Sequence, residues 1–227
     1  MSSSGPSITI HLAGDSTVAP GPLDDTGVAG WGAALHLHVE EPVHNEAIGG
    51  ATTDSFRAEG RWQRVLDATE PGDVVVIQFG HNDQKEPDTL AATGGYARNL
   101  RTFVEEARAA GGLPVLGTSV ERRLFTDDGD LQLSHGPYPA AVRALGTELD
   151  VPVLELTGFT RWLYAWMGEE ESWRLFGHAH PETGAPDNTH FGAFGATTVA
   201  AFVAQQLRVI RGLDDHAEAL GARFVRP

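Results

Sequence analysis

Two of four short polar blocks in the sequence carry the residue types of a hydrolytic triad. The first, Gly14-Asp15-Ser16-Thr17, contains a hydroxyl nucleophile in Ser16, and the last contains Asp187 and His190. A carboxylate three residues before a histidine can accept a hydrogen bond from one ring nitrogen, which fixes the tautomer and leaves the other nitrogen as a base. Ser16, His190 and Asp187 therefore have the chemistry of nucleophile, base and orienting acid.

The two middle blocks offer groups that can stabilise an oxyanion. The segment Asn45 to Thr53 contains the pair Gly49 and Gly50, which permits close backbone approach and an N–H aimed at a ligand. The block Gly80-His81-Asn82-Asp83 supplies an asparagine amide, a donor suited to a developing negative charge. Taken singly, each of the four blocks is also explained by an ordinary turn or loop, and their combination carries the hypothesis.

Five short apolar runs must position these blocks. Near-continuous apolar runs rich in β-branched residues are typical of parallel strands buried on both faces. Ligands bind beyond the carboxyl ends of such strands, where the first three blocks lie. The runs are Ile8 to Ala13, Val43 to Ile48, Val74 to Phe79, Leu113 to Thr118 and Val151 to Leu156.

Helical patterns alternate with these runs, which indicates an α/β fold. They cover Tyr96 to Ala107, Pro137 to Leu149, Thr157 to Trp173 and Phe194 to Ile210. In the third pattern we expect Phe159, Leu163 and Trp166 to face the core. Residues 7–212 are predicted to form a single domain, followed by a short C-terminal tail over residues 213–227.

Composition excludes several classes of function. The 227 residues include no cysteine, so a cysteine nucleophile or a zinc-thiolate site is ruled out. With 16 basic and 31 acidic residues, the net charge of −15 argues against a nucleic acid or an anionic membrane as partner. The N-terminus does not resemble a secretory signal, and we expect no apolar stretch to reach the roughly 18 residues that span a bilayer. We therefore expect a cytoplasmic protein, with a secreted protein whose signal has been removed as the alternative.

The order and spacing of the four blocks resemble the SGNH (GDSL) hydrolases, and within them the rhamnogalacturonan acetylesterase group. The resemblance implies a flavodoxin-like three-layer α/β/α sandwich with a five-stranded parallel sheet. A G-x-S-x-G elbow is absent, which disfavours the ordinary α/β-hydrolase fold. The resembling stretches are HLAGDSTVA, GWG, NEAIGGATTDSF, VVIQFGHNDQKEP, ERRLFTDDG…HGPYPAAV and DNTHFGAFGA.

The same resemblance implies the roles of the site residues. Ser16 would be the nucleophile, His190 the general base and Asp187 its orienting partner. The Ser16 N–H, the Gly50 N–H and the Asn82 side chain would form the oxyanion hole, and Gly50 is preferred over Gly49 because of the family pattern. No metal or organic cofactor is implied. The expected substrate carries O-acetyl groups on plant cell-wall polysaccharide or oligosaccharide, with rhamnogalacturonan foremost.

An anionic pectin fragment would need local positive charge on this acidic protein. Lys85 follows the third block, and Arg122 and Arg123 follow the fourth apolar run, so these cations are candidate substrate-binding residues. His135 is a further candidate for the lining of the site. The sequence leaves the oligomeric state open.

Three other interpretations stay open. A metal site could use His178 and His180, or His36 and His38, although neither pair lies in a predicted strand. A carbohydrate-binding protein without catalysis would keep the same fold. An SGNH esterase, lipase or thioesterase could act on other acyl esters, including acetyl-xylan, and Trp162, Trp166 and Trp173 could then line an acyl or sugar site, although helical spacing more often indicates core.

Overall fold

Five parallel strands form one sheet in the order β2-β1-β3-β4-β5. The computed structural model describes residues 8–24, 27–177 and 187–210. The tail predicted over residues 213–227 lies outside these ranges. The strands are β1 (Ile10–Gly14), β2 (Val43–Asn45), β3 (Val74–Gln78), β4 (Leu113–Gly117) and β5 (Val153–Leu154).

The described residues form eight α-helices, seven of which pack on the two faces of this sheet. They are α1 (Trp31–Ala34), α2 (Thr53–Ala58), α3 (Arg61–Ala68), α4 (Pro87–Leu90), α5 (Ala97–Ala109), α6 (Tyr138–Leu149), α7 (Leu156–Ser172) and α8 (Ala193–Ile210). The helices α1 to α4 were not predicted, because segments of four to eight residues are too short to show helical periodicity.

Two hydrophobic clusters lie on opposite faces of the sheet. One joins β-strand residues to α1, α7 and α8, and the other joins them to α2, α3, α5 and α6. All residues of β1 and β3 are buried, as their continuous apolar runs predicted. The predicted α/β class with a five-stranded parallel sheet is confirmed.

The apolar runs predicted strands that are longer than those observed at β2 and β5. After β2, the side chain of Asn45 accepts a hydrogen bond from the backbone N–H of Ala47 at 3.0 Å and donates to the carbonyl of Val18 at 2.9 Å. The backbone nevertheless stays beside β1, because the N–H groups of Glu46 and Ile48 donate to the carbonyls of Leu12 and Gly14 at 3.0 and 3.1 Å. The regular strand thus ends at Asn45, but the chain still follows β1 as far as Ile48, the end of the predicted run.

The prediction that Trp166 faces the core was wrong. The side chains of Trp162 and Trp166 are 60% and 73% exposed, whereas Leu163 and Tyr164 are buried. Helix α7 carries apolar residues on two sides, so periodicity alone did not identify the buried one. The exposed side is an aromatic row in which Trp162 stacks on both Phe159 and Trp166.

Helix α8 is the one helix of the described residues with the length and composition to cross a bilayer. It has 18 residues and a mean hydropathy of 1.2, which corrects the expectation that no stretch reaches these values. One side of α8, including Val199, Val203 and Leu207, is buried in the core beside the sheet. This place in the outer helical layer accounts for its apolar composition.

Candidate active site

Ser16, His190 and Asp187 form one hydrogen-bonded chain. The distance from His190 Nε2 to Ser16 Oγ is 3.0 Å, and the distance from His190 Nδ1 to Asp187 Oδ2 is 2.8 Å. The other oxygen of Asp187 accepts the backbone N–H groups of Thr189 and His190, each at 2.8 Å. The loop therefore folds back on itself as the spacing of Asp187 and His190 predicted.

The carboxyl of Asp187 is held in its ionised form. Burial opposes ionisation, but hydrogen bonds from the His190 ring and from the backbone N–H groups of His190 and Thr189 outweigh it. The pKa of Asp187 therefore lies below its usual value. A carboxylate can only accept, so Nδ1 of His190 must carry the proton and Nε2 is the nitrogen that faces Ser16.

A tight turn after β1 presents Ser16. The backbone N–H groups of Val18 and Ala19 donate to the carbonyl of Asp15 at 3.1 and 3.0 Å. The Asp15 side chain accepts from the backbone N–H and the hydroxyl of Thr17, at 2.9 and 2.8 Å. Asp15 thus braces the turn through the side-chain bonds that the sequence suggested.

The sequence reasoning missed a buried chain of hydrogen bonds that supports this turn. Trp31 Nε1 donates to Gln78 Oε1 at 2.7 Å, and Gln78 Nε2 donates to Thr17 Oγ1, also at 2.7 Å. Gln78 is fully buried at the end of β3. A polar residue inside the run VVVIQF was the available signal, and the GWG segment that contains Trp31 was quoted only for its resemblance.

We expect Gln78→Met to destabilise the protein by about 3 kcal/mol, because a side chain of similar shape leaves the buried indole N–H of Trp31 without an acceptor and removes the donor to Thr17 Oγ1. Urea unfolding of the two proteins measures this difference. Val76→Ile, an apolar replacement on the same strand, is the control for repacking. Equal stability of Gln78→Met and the unchanged protein would contradict the role of the network.

The second block lies beside Ser16, and the third block is hydrogen-bonded to the second. Gly50 adopts a left-handed φ of 79°, and a Cβ built on the neighbouring Gly49 would lie 3.8 Å from the Cβ of Ser16. Among the described residues, neither the Ser16 N–H nor the Gly50 N–H has a hydrogen-bond acceptor. Asn82 Nδ2 donates to the carbonyl of Ala51 at 3.0 Å, which joins the third block to the second. The amide group has a second N–H, which can donate to another acceptor.

A pair of buried carboxyls lies behind these blocks. Asp83 accepts from the backbone N–H and hydroxyl of Thr53 at 2.9 and 2.7 Å, which also joins the second and third blocks. Within the described part of the chain, Oδ2 of Asp15 and Oδ2 of Asp83 are buried without a hydrogen-bond partner. Burial, with a smaller contribution from the charge of Asp83, raises the pKa of Asp15 from 3.8 to about 6. Burial also raises the pKa of Asp83.

Asp15→Asn is expected to change how stability depends on pH. Because the pKa of Asp15 is higher in the folded than in the unfolded chain, its stabilising effect is present below about pH 4 and is lost as the pH rises through about 6. The variant lacks this titration. The difference in the free energy of unfolding, variant minus unchanged protein, should therefore increase by up to about 3 kcal/mol as the pH rises from about 4 to about 8.

Denaturant unfolding at both pH values measures that gain. Asp128→Asn, at an exposed position, is the matched control for the loss of one carboxyl. The same difference between Asp15→Asn and the unchanged protein at both pH values would contradict a buried, weakly acidic Asp15.

The predicted substrate-binding residues have different surroundings. Lys85 is exposed, and its Nζ donates to Asn82 Oδ1 at 2.9 Å. Arg122 is half-buried, and among the described residues its Nε has no hydrogen-bond partner. The backbone N–H of the next residue, Arg123, donates to the carbonyl of Asn188 at 2.8 Å, which places this segment beside the Asp187–His190 loop.

The structure corrects two of these predictions. The side chain of Arg123 is buried; it stacks on Trp173 with its guanidinium carbon 3.6 Å from the ring centroid, and it donates to Ser172 Oγ and the carbonyl of Glu169. His135 is only 2% exposed, with its ring nitrogens 2.8 Å from the carbonyl of Val120 and 3.1 Å from Gln84 Oε1. Both side chains are occupied by internal contacts, so neither is free to bind a substrate.

The metal hypothesis has no support in the described residues. Over 8–24, 27–177 and 187–210, no group of three histidine or acidic side chains could hold a metal ion. His178 and His180 lie outside these ranges. His36 is exposed, and its Nδ1 lies 2.9 Å from the carbonyl of Ala33.

Comparison with known proteins defines the class. A family model described as the GDSL-like Lipase/Acylhydrolase family matches residues 12–198, so the chain belongs to this family. The predicted SGNH (GDSL) membership is thereby confirmed. The protein is a carboxylic ester hydrolase.

Individual relatives make the comparison more specific. The chain is 43% identical over 218 residues to the rhamnogalacturonan acetylesterase RhgT of Bacillus subtilis, covering 92% of this chain and 94% of RhgT. It is also similar to the crystal structure of YxiM from Bacillus subtilis, with a TM-score of 0.77, 28% identity, and coverage of 90% of this chain and 57% of YxiM. The acetylxylan esterase Axe2 of Geobacillus stearothermophilus shares the fold, with a TM-score of 0.62, 16% identity, and coverage of 89% of this chain and 95% of Axe2.

Proposed function

We propose that the protein is a serine esterase that removes O-acetyl groups from rhamnogalacturonan or its oligosaccharides. The observation that carries the proposal is the hydrogen-bonded chain from Ser16 through His190 to Asp187, with distances of 3.0 and 2.8 Å. The similarity to RhgT over almost the whole of both chains supports the choice of polymer.

The proposed reaction begins with attack of Ser16 Oγ on the acetyl carbonyl carbon. His190 Nε2 takes the hydroxyl proton, and the carbonyl oxygen becomes an oxyanion that accepts hydrogen bonds from the Ser16 N–H, the Gly50 N–H and the Asn82 amide. When this tetrahedral intermediate collapses, the C–O bond to the sugar breaks and His190 returns the proton to the leaving alkoxide. The products of this half-reaction are the free sugar hydroxyl and acetyl-Ser16.

The second half-reaction uses water. His190 removes a proton from a water molecule, whose oxygen attacks the acetyl carbon of the acyl-enzyme in the same oxyanion hole. Collapse releases acetate and returns the proton to Ser16. The cycle starts from a neutral, correctly oriented His190, which takes a proton in each attack and returns it in each collapse, so the proposed mechanism uses no cofactor.

Acetate release from a panel of acetylated polymers tests this proposal. Acetylated rhamnogalacturonan should be the best substrate in kcat/KM, ahead of acetylated xylan and chitin oligomers. A series of soluble esters should show a sharp preference for acetyl over octanoyl, because the acyl group carried by the proposed polysaccharide substrate is acetyl. Preference for octanoyl would contradict deacetylation and favour a lipase or thioesterase, whereas preference for xylan would contradict only the choice of polymer.

A further inference from the structure

The chain has a single lysine, and that lysine lies against an oxyanion-hole residue. Lys85 is the only lysine among 16 basic residues. It belongs to the short 3₁₀ helix Asp83–Lys85, which begins directly after Asn82. Its Nζ donates to Asn82 Oδ1 at 2.9 Å, and its backbone N–H donates to the carbonyl of Asn82, also at 2.9 Å. The helix turn therefore brings the ammonium back over the amide.

These contacts determine which way the Asn82 amide faces. An ammonium group can only donate hydrogen bonds, and a carbonyl oxygen can only accept them. Lys85 therefore requires Oδ1 on its side, and the carbonyl of Ala51, 3.0 Å from Nδ2, requires the N–H₂ group on the other. A flipped amide would place N–H against the ammonium and oxygen against oxygen, so both contacts oppose the flip.

We propose that Lys85 is a positioning residue for the oxyanion hole, acting through Asn82 rather than on the substrate. The inference rests on the proposed esterase function. With Oδ1 held by a positive charge, the remaining N–H of the amide stays directed to the developing oxyanion, and the charge polarises the amide toward stronger donation. A preorganised donor raises kcat because it need not reorient when the negative charge forms.

This role differs from that of a cation that binds a substrate carboxylate. A carboxylate-binding lysine would act mainly on KM and only with acidic saccharides. A lysine that positions Asn82 acts on the transition state of every ester, including a small neutral one. The substrate dependence and the split between kcat and KM therefore separate the two roles.

The first experiment compares Lys85→Met with the unchanged protein on 4-nitrophenyl acetate and on an acetylated acidic oligosaccharide. We expect kcat to fall about 10-fold on both substrates, less than for deletion of a whole oxyanion donor, with KM little changed. Arg101→Gln, which removes an exposed positive charge paired with Glu148, is the control and should leave both constants unchanged. An unchanged kcat on the neutral ester, or a rise in KM confined to the acidic substrate, would overturn the proposal.

A second measurement uses the folded protein without mutation. Because Lys85 is the only lysine, reductive dimethylation and acetylation with acetic anhydride each modify one side chain besides the N-terminal amine. Dimethylation keeps the charge and one N–H, so it should retain kcat, whereas acetylation removes the charge and should reproduce Lys85→Met. The Lys85→Met protein treated in the same way controls for the N-terminus.

Equal effects of the two reagents would overturn a role for the charge. Failure of the esterase function itself would appear differently, as absence of Ser16-dependent hydrolysis in the unmodified protein.

Discussion

Ser16→Ala is expected to lower kcat for acetyl ester hydrolysis by about 10⁴-fold or more, because it removes the atom that we propose forms the acyl-enzyme. Ser16 Oγ is hydrogen-bonded to His190 Nε2 at 3.0 Å, and its loss leaves the oxyanion donors without a nucleophile. Steady-state acetate release measures the change. Saccharide binding should persist, since the backbone that forms the site is unchanged.

The control for Ser16→Ala is Thr102→Ala, which removes a hydroxyl from the exposed side of α5 and should keep full activity. Thermal unfolding should show that Ser16→Ala is folded. A folded variant that retains a tenth or more of the activity would exclude Ser16 as the nucleophile and would favour the metal hypothesis.

Asp187→Asn is expected to lower kcat by about 10⁴-fold while the loop keeps its shape, by analogy with the same change in other triads. The amide oxygen can still accept the backbone N–H groups of Thr189 and His190, which Asp187 now accepts at 2.8 Å each. The amide nitrogen, however, can donate to Nδ1 of His190 and so favour the tautomer whose Nε2 carries a proton. That tautomer cannot act as a base toward Ser16.

The pH dependence of this variant provides a second measurement. In the unchanged protein the lowered pKa of Asp187 keeps the carboxylate ionised. In the proposed mechanism this carboxylate stabilises the imidazolium that forms during attack. Asp187→Asn should therefore recover part of its activity at high pH, where hydroxide can assist removal of the Ser16 proton. A loss of less than about 10-fold at neutral pH would mean that another group orients His190.

The placement of the four blocks was predictable from sequence because it follows from a few general constraints. Continuous apolar runs identify strands buried on both faces, and parallel strands bring their carboxyl ends to one edge of the sheet. Ser16, Gly50 and Asn82 each follow such a run, so their proximity required no detailed packing. The Asp187–His190 contact is local, which is why spacing alone indicated it.

The support of the site was less predictable because it depends on side-chain packing. Trp31 and Gln78 are 47 positions apart in the chain, and only the folded layers bring the indole N–H to the amide. Arg122 and Arg123 are neighbours of the same type, yet Arg123 is buried against Trp173 while Arg122 is half-buried. The difference depends on tertiary contacts such as that of Arg123 with Ser172, 49 positions away, which the sequence does not reveal.

With a net charge of −15, the protein needs a local positive charge to bind an anionic saccharide, and few of the predicted side chains are available for this. Four residues were predicted to bind the substrate. The side chains of Arg123 and His135 are buried in internal hydrogen bonds, and Lys85 contacts Asn82. Arg122 is left as the candidate for binding a substrate carboxylate.

Arg122→Gln should therefore raise KM for acidic oligosaccharides and leave KM for a neutral acetyl ester unchanged.

The most direct test of the account is stoichiometric labelling of the protein with a serine-directed phosphonate ester, with the modified peptide identified by mass spectrometry. We predict one label per chain, on Ser16, with acetate release from acetylated rhamnogalacturonan lost in proportion to labelling. Full occupancy of Ser16 with acetate release unchanged, or loss of activity with the label on another residue, would contradict the central claim.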